Sequence, residues 1–133
     1  YNVGVRVPKP YTVEKNVLVI EFIGKDGVPA PLLKDVELSN PTSVYEKLLG
    51  NIKTLYRKSA LVHGDLSEYN VMMKNDELVI FDMSQSVLTS HPLADQLLRR
   101  DIANVNRFFS KIGVKVKSEN EIYNWVVGNE SDF

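Results

Sequence analysis

Residues 63–82 read HGDLSEYNVMMKNDELVIFD, and they carry most of the information about fold and function. The stretch contains an acid, Asp65, an amide five positions later, Asn70, and a second acid, Asp82, at the end of an apolar run. In phosphoryl transfer from ATP, one carboxylate orients or deprotonates the attacking oxygen, while an amide oxygen and a second carboxylate hold Mg²⁺ on the phosphates. The order of these three residues indicates that chemistry.

The residues between Asn70 and Asp82 predict a β-hairpin. Two apolar runs flank Asn75-Asp76, a polar pair that suits a tight turn. If Lys74 faces Glu77 across this turn, counting outward places Asn70 opposite the residue before Asp82. Both side chains then lie at the open end of the hairpin, on strands roughly 5 Å apart. An amide oxygen and a carboxylate at that separation can share one Mg²⁺, whose other ligands are water and phosphate oxygens.

The same residues have a purely structural interpretation, in which the acids and the amide only form turns and end strands. We favour the functional one because the three residues occur together in order, with a strand before them and a hairpin between them. His63 is interpreted structurally: we expect its ring to hydrogen-bond backbone near Asp82 and brace the loop, without a chemical step.

Composition excludes several classes of protein. The chain has 133 residues, enough for one domain, with 44% hydrophobic and 25% charged residues. A net charge of −1 gives no overall basic field and no signal for sequence-specific binding of nucleic acid. The absence of cysteine excludes disulfides and fits a reducing cytoplasm, which is the predicted location. No apolar run approaches the roughly 18 residues of a membrane span, so no membrane partner is expected.

Hydrophobic periodicity and cap signals predict the remaining elements. In chain order these are a strand at 17–23, a loop or hinge at 24–31, a helix at 41–58 capped by Asn40, a short strand at 61–63, a helix opening at Pro92 and ended by Gly113, and a last helix through Val127 with a Ser118/Glu121 capping box. The Gly- and Pro-rich segment 24–31 is the one plausible domain boundary.

The motif His-x-Asp-Leu-x-x-x-Asn, followed by an acid after an apolar strand, resembles the catalytic and metal-binding loops of the protein kinase superfamily. Gly64 stands where conventional protein kinases carry Arg, and Asp82 is followed by Met-Ser-Gln instead of Phe-Gly. Only nine residues separate Asp82 from Pro92, and no Ala-Pro-Glu is present, so we expect no peptide-binding cleft of the usual kind. The RIO family of atypical kinases shares these departures. Its type-one branch is resembled by residues 61–70, 82–87 and 99–109.

The resemblance implies an α+β fold, namely the mainly helical carboxyl-terminal lobe of a protein-kinase-like fold, with a catalytic-loop β-hairpin and remnants of the amino-terminal lobe strands. Residues 1–23 would be the end of the amino-terminal lobe and the hinge strand, and residues 24–133 the carboxyl-terminal lobe. The chain does not begin with Met, so we expect a fragment. Its missing partner would be the amino-terminal lobe with a phosphate-covering loop, an ATP-binding Lys and its Glu partner, and the 133 residues alone would be weakly active or inactive.

The resemblance also implies an ATP- and Mg²⁺-dependent serine/threonine kinase or ATPase, with Mn²⁺ as an alternative metal. Asp65 would be the catalytic acid, Asn70 and Asp82 the metal ligands, and Asp82 a phosphate acceptor as well. Glu21 and Ile23 would offer hinge backbone groups to adenine. Autophosphorylation, slow ATP hydrolysis and a role on the pre-small ribosomal subunit are family properties.

Two alternatives stay open at this point. One is a nucleotide-dependent scaffold or switch on pre-ribosomal particles, which would also lack a peptide cleft. The other is a small-molecule phosphotransferase of the aminoglycoside or choline kinase type, which uses a similar His-x-Asp and Asn pattern. Those enzymes usually insert extra helices after the metal-binding acid, whereas this chain ends soon after two helices.

Overall fold

A computed structural model describes residues 10–14, 17–20, 24–25, 28–29, 31–74 and 77–128, with side chains from residue 31 onward. The strands in this part of the chain are β1 Pro10–Glu14, β2 Val17–Ile20, β3 Gly24–Lys25, β4 Val28–Pro29, β5 Leu61–Val62, β6 Val71–Lys74, β7 Glu77–Ile80 and β8 Val87–Leu88. The α-helices are α1 Pro41–Ser59, α2 Ala94–Lys111 and α3 Glu119–Val127.

The strands form four separate antiparallel pairs: β1 with β2, β3 with β4, β5 with β8, and β6 with β7. The segment predicted as a loop or hinge therefore contains the short β3–β4 pair, in which Gly24 lies opposite Pro29. Pro lacks an N–H and is tolerated where a strand has a free edge, as in a two-strand ladder. The predicted hinge residues Glu21 and Ile23 lie outside the described residues. With small sheets beside three helices, the described part is α+β, as predicted.

Local capping signals explain where α1 and α3 begin. The Asn40 side chain accepts a hydrogen bond from the Ser43 backbone N–H at 3.2 Å, and Pro41 occupies the first turn of α1. The Ser118 hydroxyl oxygen accepts from the Glu121 N–H at 3.1 Å at the start of α3. Each bond satisfies a backbone donor that has no partner within its helix. Both predicted N-caps are confirmed.

Helix α2 begins two residues later than predicted. The Ala94 N–H donates to the His91 carbonyl, and the Leu93 N–H donates to His91 Nδ1 at 3.0 Å, so residues 91–93 form a turn that precedes the helix. Leu93 has φ −97° and ψ 1°, outside the helical range. Pro92 is therefore a turn residue and not the first residue of the helix.

The core lies between the three helices and the β6–β7 hairpin, with α3 packed against both α1 and α2. Its largest fully buried side chains come from all of these elements, together with Leu33 and Leu66 from the connecting segments: Tyr45, Phe109, Leu48, Leu49, Ile80, Leu98, Ile102, Ile122 and Val71. Leu66 belongs to the loop that carries Asp65. Because the core holds this neighbour of Asp65, the hairpin and the loop are fixed relative to the helices.

A buried polar network ties the helices together. The Tyr45 hydroxyl donates to Asn106 Oδ1 at 2.7 Å and accepts from the Lys117 N–H at 3.0 Å. Asn106 Nδ2 donates to the Lys117 carbonyl at 2.8 Å, which closes the network between α1, α2 and the segment before α3. Among the described residues, no helix combines the length and apolar character needed to cross a membrane.

Candidate active site

The register of the hairpin brings Asn70 and Asp82 to the same end. Val71 lies opposite Ile80 and Lys74 opposite Glu77, as predicted. The Phe81 N–H donates to the Asn70 carbonyl at 3.0 Å, so the pairing extends one residue beyond the strands. Asp82 follows directly. The predicted register of the hairpin, with Asn70 opposite Phe81, is therefore confirmed.

The Asn70 side chain is held by its own loop. It is only 7% exposed, and its Oδ1 accepts a hydrogen bond from the Ser67 hydroxyl at 3.1 Å. The Asn70 N–H donates to the Ser67 carbonyl at 3.0 Å, and the Tyr69 N–H donates to the Ser67 hydroxyl oxygen at 3.2 Å. A carboxamide oxygen has two lone pairs, so Oδ1 can accept this bond and still face a cation.

Asp82 occupies an unusual backbone conformation at the end of β7. Its φ of 60° and ψ of 61° are left-handed, a region in which non-glycine residues are uncommon and Asp is among the better tolerated. The exposed carboxylate accepts a hydrogen bond from the Ser84 hydroxyl at 2.8 Å. The left-handed residue turns the chain from β7 into the 3-10 turn Met83–Gln85.

The two side chains form a donor set that fits Mg²⁺. An amide oxygen and a carboxylate are hard oxygen ligands, and Mg²⁺ in nucleotide sites is bound by one or two protein groups together with phosphates and water. Within residues 31–74 and 77–128, no group of three or more His, Cys or acidic side chains could hold a metal alone. A metal held by Asn70 and Asp82 would take its further ligands from water or from phosphate oxygens.

His63 connects the loop of Asp65 to the hairpin. The Asp65 N–H donates to His63 Nδ1 at 3.1 Å, so the ring proton is on Nε2, which donates to the Phe81 carbonyl at 3.0 Å. His63 itself is 2% exposed, whereas the Asp65 side chain is exposed. The predicted hydrogen bond of His63 to backbone near Asp82 is confirmed. Its ring links the backbone of Asp65 to the residue before Asp82.

A buried carboxylate from α2, missed in the sequence, supports the same loop. Asp101 is 1% exposed, and its two oxygens accept from the Gly64 and Leu66 N–H groups, both at 2.9 Å. Burial raises the pKa of the Asp101 carboxyl above its ordinary value, and these two backbone bonds oppose that rise. The backbone on both sides of Asp65 is thus anchored to α2.

Gly is required at position 64 because the backbone of another segment approaches it closely. Its φ is +87°, and a Cβ at this position would lie 2.6 Å from the Gln85 carbonyl oxygen. The chain after Asp82 passes directly over the loop that contains Gly64. This close contact explains why position 64 is Gly here, whereas conventional protein kinases carry Arg. A side chain here would push the two segments apart.

We therefore expect Gly64→Ala to destabilise the protein more than Gly113→Ala. Both residues have positive φ, which costs a side chain about 1–2 kcal/mol, but a Cβ at Gly113 meets nothing within 4 Å. Gly64→Ala adds the overlap with the Gln85 carbonyl, for a total loss of about 2–4 kcal/mol. Urea unfolding of the two variants measures the difference. Equal losses would contradict the close approach.

Comparisons with known proteins agree with this geometry. The family model of the RIO domain matches residues 1–122. Serine/threonine-protein kinase RIO1 of Caenorhabditis elegans is 45% identical over 129 residues, which cover 96% of this chain and 26% of that protein. RIO-type serine/threonine-protein kinase Rio1 of Methanocaldococcus jannaschii is 42% identical over 128 residues, which cover 96% of this chain and 44% of that protein.

A solved structure confirms the kinase-like fold. The Rio2 kinase of Chaetomium thermophilum, crystallised as an ADP/Mg²⁺-phosphoaspartate complex, matches with a TM-score of 0.73 at 24% identity, over 91% of this chain and 39% of that one. The chain spans less than half the length of each of the relatives named above. From the domain match and the identities of 42% and 45%, the chain belongs to the RIO domain family, and these two relatives are named serine/threonine-protein kinases.

Proposed function

We propose that this chain forms the catalytic-loop part of an ATP- and Mg²⁺-dependent serine/threonine kinase or ATPase of the RIO type. The observation that carries the proposal is the hairpin register, which brings Asn70 and Asp82 to one end and, through His63, ties them to the loop of Asp65. A phosphoryl-transfer site needs this combination of one free carboxylate and two oxygen ligands. Membership of the RIO domain family supports it.

Each residue has a distinct proposed role. The exposed carboxylate of Asp65 would accept or orient the proton of an attacking water or hydroxyl group, because its backbone is held and its side chain is exposed to a substrate. Asn70 Oδ1 and the Asp82 carboxylate would hold Mg²⁺, or Mn²⁺ in its place. The bound metal would neutralise charge that develops on the phosphates.

Asp82 is also the proposed phosphate acceptor. Its carboxylate is exposed and lies next to the site proposed for the phosphates. Attack of a carboxylate oxygen on the γ-phosphorus would form an acyl phosphate and release ADP, and its hydrolysis by water would complete a slow ATPase cycle. The Chaetomium Rio2 kinase, which shares the fold, is described with ADP, Mg²⁺ and phosphoaspartate together.

The division into lobes is part of the same proposal. Residues 1–23 would end the amino-terminal lobe and form the hinge strand, with backbone groups of Glu21 and Ile23 facing adenine, and residues 24–133 would form the carboxyl-terminal lobe. The segment after the proposed hinge returns to the hairpin, since the Met73 N–H donates to the Pro31 carbonyl at 2.9 Å and Leu32 pairs with Met72. That contact supports a nucleotide site between the hinge and the hairpin.

A nucleotide-dependent switch on pre-ribosomal particles is the second candidate. It is favoured by the segment between Asp82 and α2, which is filled by the turn Met83–Gln85 and by β8, paired with β5. This short, paired segment leaves little chain for binding a peptide substrate. The ribosomal partner and the cytoplasmic location are likewise proposals.

Chemical identification of the phosphorylated residue tests the proposed reaction. The intact protein is incubated with γ-³²P-ATP and Mg²⁺, and we expect label that hydroxylamine removes, because hydroxylamine cleaves acyl phosphates and leaves phosphoserine intact. Asp82→Asn should incorporate no hydroxylamine-sensitive label, while Asp95→Asn, an exposed carboxylate on α2, should match the wild type. Absence of any label and of ATP hydrolysis in the wild type would contradict the proposed function.

A further inference from the structure

We propose that Asn104 is a positioning residue that sets the orientation of Asp65 for phosphoryl transfer. The inference rests on the proposed function and assigns a new role to a residue of α2. Asn104 lies one helical turn after Asp101, on the side of α2 that faces the loop, and its Nδ2 donates to the Leu66 carbonyl at 3.2 Å.

Side chains of α2 bind all four backbone groups that flank Asp65. Asp101 accepts from the Gly64 and Leu66 N–H groups, Arg100 donates to the Gly64 carbonyl, and Asn104 donates to the Leu66 carbonyl. The Gly64 carbonyl and the Leu66 N–H belong to the two peptide units that adjoin Asp65, and the Gly64 N–H and the Leu66 carbonyl belong to the next unit on each side. All four units are therefore held from one rigid helix. Rotation of either adjoining unit would swing the Cα–Cβ bond of Asp65. Arg100 and Asp101 limit that rotation directly, and Asn104 limits it by holding the next peptide unit.

The orientation of the Asn104 amide is itself fixed. Its Oδ1 accepts a hydrogen bond from Arg107 at 3.0 Å. A guanidinium group has only donors, so it selects the amide oxygen and turns Nδ2 toward the loop. Asn104 and Arg107 are three positions apart in α2, a spacing that brings helical side chains together. The donor to Leu66 is thus preorganised before any substrate binds.

The Leu66 carbonyl, which accepts the hydrogen bond from Asn104, belongs to a residue that is held firmly by the core. The Leu66 side chain is fully buried in the core, so its backbone cannot move far without disturbing packing. Asn104 adds a polar bond to this anchor on the carboxyl side of Asp65. Misplacing a reacting group by about 1 Å can cost about 10²-fold in rate, so a bond that limits such movement contributes to kcat.

The variant Asn104→Asp tests the role. It has the same shape and can still pair with Arg107, but it replaces the donor toward Leu66 with an acceptor. In the intact protein we expect kcat for ATP hydrolysis to fall by about 10- to 100-fold. KM for ATP and the calorimetric Kd for Mg²⁺·ADP should change less than about twofold, because Asn104 contacts neither proposed metal ligand. Ser110→Ala, an exposed change on the same helix, is the control and should match the wild type.

Amide hydrogen exchange provides a readout that does not depend on turnover. Exchange at Asp65 and Leu66 should be faster in Asn104→Asp than in the wild type or in Ser110→Ala. Unchanged kcat in Asn104→Asp, or equal losses in kcat, KM and Mg²⁺·ADP affinity, would overturn the inference, since the second pattern indicates general structural damage. Failure of the proposed function would be distinguished from these outcomes by the wild type, which would then transfer no phosphate at all.

Discussion

Replacing Asp65 with Asn is expected to lower the rate of phosphoryl transfer by roughly 10²–10⁴-fold, the usual contribution of a positioned general acid or base. Asn keeps the size of the side chain and removes the charge that would accept or orient the proton. Asp65 is exposed, so the free energy of unfolding should change by less than about 0.5 kcal/mol. Binding of Mg²⁺·ADP should persist because Asn70 and Asp82 are unchanged. Rates of ATP hydrolysis and calorimetric titration with Mg²⁺·ADP measure the two effects.

Glu68→Gln is the matched control for Asp65→Asn. Glu68 lies in the same loop, three residues later, and has no proposed chemical role, so its neutralisation should leave the rate within about twofold of the wild type. Equal losses of rate in the two variants would mean that the total negative charge of the loop determines the rate, and that the position of the Asp65 carboxylate does not. Full activity of Asp65→Asn would contradict the catalytic assignment and favour the nucleotide-dependent switch.

Features that depend on neighbouring residues could be predicted from the sequence. The N-caps Asn40 and Ser118 need only a backbone N–H three residues away. The register of the β6–β7 hairpin follows from the length of its turn, and it alone places Asn70 beside Phe81. The backbone bond of His63 was also predicted, from the position of this residue two places before Asp65 in the motif.

Features that join distant segments could not be predicted. Asp101 is 37 residues from Gly64, and an Asp in an amphipathic helix is normally read as solvent-exposed. One signal was present: Asp101 lies three residues after Leu98 and four before Val105, on the buried face of α2. A carboxylate on such a face needs donors nearby. The contact of Gly64 with the Gln85 carbonyl has no comparable signal, since it depends on the path of the backbone.

Loss of the Asp101 carboxylate should cause the largest loss of stability. Asp101→Ala leaves two buried backbone N–H groups without acceptors, and each such group costs about 1–3 kcal/mol, so we expect a total loss of roughly 2–6 kcal/mol. Asp101→Asn keeps one carbonyl oxygen and should lose about 1–3 kcal/mol. Gln96→Ala, an exposed change on the same helix, is the control. Urea unfolding measures all three, and a loss below about 1 kcal/mol for Asp101→Ala would contradict the anchoring role.

The pH dependence of stability gives an independent test of Asp101. Burial raises the pKa of its carboxyl in the folded protein above the ordinary value of about 3.9, although the backbone donors, His63 and Arg100 oppose the rise. Between these two pKa values the folded state holds a proton that the unfolded chain has lost, so stability falls as pH rises. The free energy of unfolding of the wild type minus that of Asp101→Asn should therefore be largest below pH of about 3.9 and decrease through the raised pKa to a plateau. A difference that grows with pH would mean that the two N–H bonds outweigh burial and lower the pKa.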